Sequence, residues 1–187
     1  MNRRQFVTGA MLAAGAVCAL PLTGCTEDEY ASAIRMAQDA GSAIAAILAL
    51  VSIASGQGYL SAAAFSATKF VLDEATVGVA TVIAAIKEYE AQASGSVVAK
   101  LTAALDAVKS NLGAALSAAN ITDAATQQTY VAEVNLVESL LVMVAGFFSP
   151  SVQMKTAKRV DLKAERKSFV LRFNANLPDA MKSLAIR

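Results

Sequence analysis

The chain has 187 residues, 56% of them hydrophobic but only 6% aromatic, and a formal net charge of +1. It contains no histidine and no tryptophan, and both cysteines, Cys18 and Cys25, lie near the N-terminus. Beyond residue 25 this rules out Ser-His-Asp and Cys-His nucleophilic arrangements, His/Cys zinc sites and the Glu-x-x-His di-iron pattern, so neither a metal nor a cofactor is expected.

The opening reads Met1-Asn2-Arg3-Arg4-Gln5-Phe6-Val7, and a weakly apolar run from Gly9 to Leu20 follows. A charged start, an apolar centre and a small-residue end mark an export signal rather than a structural helix. Arg3 and Arg4 followed by Phe6 resemble the twin-arginine translocation (Tat) signal. Val7 and Thr8 stand where that family usually has leucine and lysine, which leaves Sec export open. Leu22-Thr23-Gly24-Cys25 resembles a bacterial lipobox. The resemblance, confined to residues 1–25, implies that residues 1–24 are removed as a signal peptide. It also implies that Cys25 becomes the acylated N-terminus of a lipoprotein on the periplasmic face of a membrane. Thr26 takes the place of the aspartate that retains such proteins at the inner membrane, so the outer membrane is favoured where the cell has one. Several acyl chains make such an anchor durable, at about 0.8 kcal/mol per buried methylene. Residues 25–33 are then expected to be the lipidated N-terminus and a tether.

Residues 34–149 read as four helical segments, punctuated by Gly56-Gln57-Gly58, Ser94-Gly95-Ser96 and Asn120-Ile121-Thr122. Abundant alanine favours helix because it loses no rotamer freedom. Apolar positions recur at alternating three and four: Ile34, Ala37, Gly41, Ile44, Leu48 and Val51 in the first segment, and Phe65, Thr68, Leu72, Ala75, Val79, Val82, Ile86 and Tyr89 in the second. The third has Val98, Leu101, Leu105, Val108, Leu112, Ala115 and Ala119, and the fourth Tyr130, Val134, Val137, Leu141, Val144 and Phe148. One such stripe per helix predicts an all-α, elongated antiparallel four-helix bundle, with small stripe neighbours allowing close approach. Thr122 is the expected N-cap of the fourth helix, with Asp123 in its first turn. Residues 40–68 carry no charge, but the strongly apolar runs within 40–68 and 139–154 fall short of the roughly 20 residues a spanning helix needs.

Residues 150–187 form a basic C-terminal segment. Residues 155–187 hold nine Lys/Arg against three Asp/Glu, whereas residues 25–154 hold five against twelve. Phe169, Phe173 and Leu177 predict a further short helix, and Pro178 the start of another. The segment is expected either to pack on the acidic bundle or to present Lys155, Lys158, Arg159, Lys163, Arg166 and Lys167 to an anionic partner. Lipid headgroups, lipopolysaccharide, a cell-wall polymer or a protein would fit; nucleic acid would not, since no aromatics interleave the charges.

The carboxylate pairs Asp73/Glu74, Glu88/Glu90 and Glu133/Glu138 are expected on solvated helix surface. Tyr30, Tyr59, Tyr89 and Tyr130 are expected to bury their rings and leave their hydroxyls wet. The function expected is that of a non-enzymatic, lipid-anchored envelope protein, a helical scaffold or interaction module. A carrier of a small apolar ligand in the bundle core and a membrane-active or self-assembling protein are the alternatives.

Overall fold

A computed structural model describes residues 27–148 and 161–186, and every regular element among them is helical. The order is α1 (Glu27–Gly56), α2 (Ala62–Ala91), α3 (Gly95–Ala118), α4 (Ala124–Phe148), α5 (Leu162–Asn176) and a closing 3-10 helix (Asp179–Leu184). Helices α1 to α4 form a square in which each packs against its chain neighbours and α4 returns to α1. They run alternately up and down: the 57–61 and 119–123 connections meet at one end, while Tyr30, Tyr89, Phe147 and Phe148 meet at the other. At 30 residues each, α1 and α2 are about 45 Å long.

Helix α1 already includes the seven residues before Ile34. Glu27, Asp28 and Glu29 occupy its first turn, where negative charge complements the helix dipole, so the expected tether over residues 27–33 is helix instead. Its other end closes on Gly58. The Tyr59 amide donates to Ala54 O (2.9 Å) and the Gly58 amide to Ser55 O (3.0 Å), the Schellman pattern, with Gly58 at φ 77°. The uncharged stretch 40–68 is thereby folded back on itself. Ser61 and Ser94 cap α2 and α3 by accepting from the amides of Ala64 and Val97. At α4 the cap is Asp123 rather than Thr122: its carboxylate accepts from the Thr126 amide (2.9 Å) and hydroxyl (2.7 Å). The Thr122 hydroxyl and amide instead both donate to Tyr59 O and tie the two connections together.

The apolar stripes of α2, α3 and α4 are buried as their spacing predicts, except at the first positions of α2 and α3, where Phe65 and Val98 are half-buried and Val97 is buried instead. On α1 the buried face is wider than the expected stripe, taking in Ala33, Met36, Ala40, Ala43, Ile47 and Leu50, while Ile34 and Leu48 lie at its flank. The reason is a third neighbour. Helix α5 lies over the seam between α1 and α4 and seats Leu162, Phe169 and Phe173 in it. Leu177, Met181 and Ile186 follow them into the core, and Asn174 pins the returning chain by two 2.9 Å hydrogen bonds to the Ile186 backbone. Where α2 meets α3 the backbones are close: a Cβ on Gly78 would stand 2.5 Å from Val108 Cγ2.

Candidate functional site beneath the fifth helix

Among the described residues the two buried carboxylates lie on α1 and α4, the helices against which α5 packs. Asp39 of α1 is 6% exposed. Arg166 of α5 reaches it with two donors, Nε at 2.6 Å and Nη2 at 3.1 Å. Such a two-point pairing is among the strongest a guanidinium makes. Burial still pushes the Asp39 carboxyl above its ordinary range, and the bonds and charge of Arg166 pull the other way.

Glu133 of α4 is 1% exposed, and neither of its carboxylate oxygens has a hydrogen-bond partner among the described residues. Burial pushes its carboxyl up to about 7, against an opposing effect from the Asn176 side chain of α5. Gln127 and Tyr130 precede it at intervals of three on α4, and the Gln127 Oε1 and Tyr130 hydroxyl are likewise buried and unpartnered among the described residues. Burial raises the Tyr130 phenol as well. The Thr68 hydroxyl on α2 shares this condition. Thr68 is seventh in α2 and Tyr130 seventh in α4, both counted from the same end of the square.

Two sequence expectations are corrected here. Glu133 is not solvated surface. It lies about 100° around α4 from Val134, at the edge of the stripe, where a plain four-helix square would leave it wet and the added α5 covers it. Tyr130 does not keep its hydroxyl in water, because it sits in the second turn of α4 rather than at a helix end. Asp39 went unnoticed in the sequence. The one available signal was an acid flanked by Ala37 and Ala40 in an otherwise uncharged part of a long helix.

The basic candidates separate into three groups. Arg166 is committed to Asp39 and is structural. Lys163 and Lys167 are exposed. Lys155, Lys158 and Arg159 lie outside the described residues, as do the signal and lipobox residues Arg3, Arg4, Phe6, Leu22, Thr23, Gly24 and Cys25. Lys163 lines a cleft of about 480 Å³ between the first turns of α1 and α5, together with Asp28, Glu29, Arg35, Asp161 and Arg166. A second groove of about 410 Å³ runs between α4 and α5 past Asn135, Ser139, Arg172 and Asn176. At the far end of the molecule from Gly58, Tyr30, Tyr89, Phe147 and Phe148 close the square with ring centroids 4.9–6.4 Å apart.

Among the described residues no group of three or more acidic side chains is placed to hold a metal ion. Compared with known protein families, curated proteins and solved structures, the chain is matched by none.

Proposed function

We propose that this chain is a non-enzymatic lipoprotein of the cell envelope whose helical bundle serves as a scaffold or interaction module held at a membrane through acylated Cys25. The observation that supports this reading best is that α1 is already present at Glu27, two positions after Cys25. An acyl anchor at Cys25 would then hold the bundle end-on against the bilayer, with helix rather than a tether over residues 27–33. The end so held is the one closed by the aromatic cluster, and α5 begins beside it, with Asp161, Lys163 and Arg166 sharing a cleft with Asp28 and Glu29. The long axis would then carry the 57–61 and 119–123 connections about 45 Å outward as the membrane-distal tip. Export through the Tat route, residence at the outer membrane and an anionic partner for the exposed lysines belong to the same proposal.

Native mass spectrometry of the protein released from its own membranes in mild detergent tests it. The expected mass starts at Cys25 and carries acyl chains; an unmodified N-terminus upstream or downstream of Cys25 refutes the anchor. Copurifying protein subunits would identify the interaction partner, and an added small-molecule mass would favour the carrier alternative.

The membrane-active alternative has its own support. Helices α1 and α4 are each long and apolar enough to cross a membrane by length and composition, with mean hydropathies of 1.6 and 1.8 over their most apolar windows. Against it, the most apolar stretch of α4 would take both Glu133 and Glu138 into the membrane, and a charge near the centre of the hydrocarbon costs about 2.5–3.5 kcal/mol. Dye release from liposomes at micromolar protein would decide for it, and intact vesicles against it.

A further inference from the structure

The seam under α5 holds both buried carboxylates of the described chain, and only Asp39 is paired there with an opposite charge. We propose that α5 is a proton-controlled latch: it stays docked on the α1–α4 seam while Glu133 is neutral and lifts off as Glu133 ionises.

The geometry carries this. Glu133 stands at the edge of the buried face of α4, and the neighbour that shields it there is α5, whose Asn176 lies beside it. Neither carboxylate oxygen has a partner at full hydrogen-bond geometry among the described residues, and the Asn176 amide beside them offsets only part of what the charged form loses with its water. The surroundings contain little to offset a negative charge. Helix α1 buries a single charged residue, Asp39, which is already held by Arg166. Helix α3 buries none. Helix α5 buries none either, and its Arg172 lines the outer groove with Asn176 at an exposed position. On α4 itself the nearby titratable groups are Tyr130, kept neutral by burial, and Glu138, half-buried and of the same sign as Glu133.

Protonation removes the conflict, and so does undocking. Helix α5 is the element best suited to give way: Leu162, Phe169 and Phe173 are its only buried side chains, against eight in α2 and eight in α4. With α5 lifted, Glu133 is hydrated and returns toward its ordinary value of 4.5; with α5 docked it titrates at about 7. The sign follows directly. A carboxyl raised by docking favours the docked state at low pH and weakens it as pH rises from 4.5 through about 7. The docking equilibrium shifts by about 75-fold between pH 5 and pH 9 on this basis. Asp39, raised in the same direction, adds to the effect in more acid solution, opposed by Arg166. Lift-off would uncover the apolar α1–α4 seam and free a helix bearing Lys163, Arg166, Lys167 and Arg172 for a partner. Nothing in the latch depends on the acyl anchor.

Hydrogen exchange read by mass spectrometry on the full chain tests the latch, with rates corrected for the intrinsic pH dependence of exchange. Amides of residues 166–176 are expected to lose about 75-fold of protection relative to α2 and α3 between pH 5 and pH 9, most of it between pH 5 and pH 7, with a plateau above about pH 8. Glu133→Gln is expected to remove that loss. Constant relative protection of α5 across the range in the wild-type chain overturns the latch, as does an undiminished loss in Glu133→Gln. If Glu133→Gln does not fold, the wild-type profile decides, and protection that stays constant between pH 5 and pH 7, or changes only above pH 8, overturns the proposal.

Discussion

Replacing Arg166 by methionine removes the partner of Asp39 and keeps most of the packing of the arginine stem. Asp39 is then left 6% exposed with its carboxylate unpaired. Breaking a fully buried pair from one side costs about 3–5 kcal/mol. Arg166 is 27% exposed, so water screens part of the interaction, and about 2–3 kcal/mol is the expected loss at pH 7. The loss cannot exceed the free energy with which α5 docks, because an undocked α5 hydrates Asp39. Asp39→Leu combined with Arg166→Met should recover most of the stability, since an apolar pair of similar volume suits the seam and leaves no charge behind. The two single variants and the double variant form a cycle with an expected coupling of about 2 kcal/mol. The chain has no tryptophan, so urea unfolding followed by circular dichroism at 222 nm is the suitable assay, with α5 protection as the local readout. The loss in Arg166→Met should shrink as pH is lowered, because a lone buried Asp39 with a raised pKa takes up a proton. A single-variant loss below about 0.5 kcal/mol, with no coupling, would refute the structural role of this pair.

Three further outcomes follow from the same structure. Glu133→Gln should be more stable than the wild-type chain above pH 7 and lose that advantage below pH 4.5, because the raised carboxyl destabilises the fold only when ionised; urea midpoints at pH 4.5 and 8.5 check the sign. Gly78→Ala gains about 1 kcal/mol of helix propensity but puts a Cβ 2.5 Å from the stiff Val108 side chain, so it should be destabilising by about 1 kcal/mol on balance and become stabilising in a Val108→Ala background; thermal melts of the four chains decide. Exposed Lys163 and Lys167 changed to glutamine should leave unfolding midpoints within about 0.5 kcal/mol and weaken capture of any anionic partner, a separation that Arg166 variants cannot give.

The helices were legible in the sequence because each carries its own signal. Leu72, Val79, Val82 and Ile86 repeat on one face of α2, as Leu101, Leu105, Val108 and Leu112 do on α3, and all of them are buried. The breaks were legible for the same local reason: Gly58 takes a positive φ, and Ser61 and Ser94 accept from the first-turn amides. Where two local signals competed, at Thr122-Asp123, the long-range bond of Thr122 to Tyr59 O left the cap to Asp123.

By itself, then, the sequence determined the number of long helices, most of the buried positions of α2, α3 and α4, the all-α class and the chemistry excluded by the lack of histidine. The tertiary structure decided what lies between the helices. Periodicity around one axis says which side of a helix is apolar, but not how many neighbours that side meets. A fifth helix over the α1–α4 seam turned two flank positions, Asp39 and Glu133, into buried carboxylates and took Arg166 out of the exposed basic cluster. Burial of a polar side chain at the edge of a stripe depends on packing from residues more than 100 positions away, as in the pair of Arg166 with Asp39. No local pattern encodes that distance, and the candidate site lies where it matters.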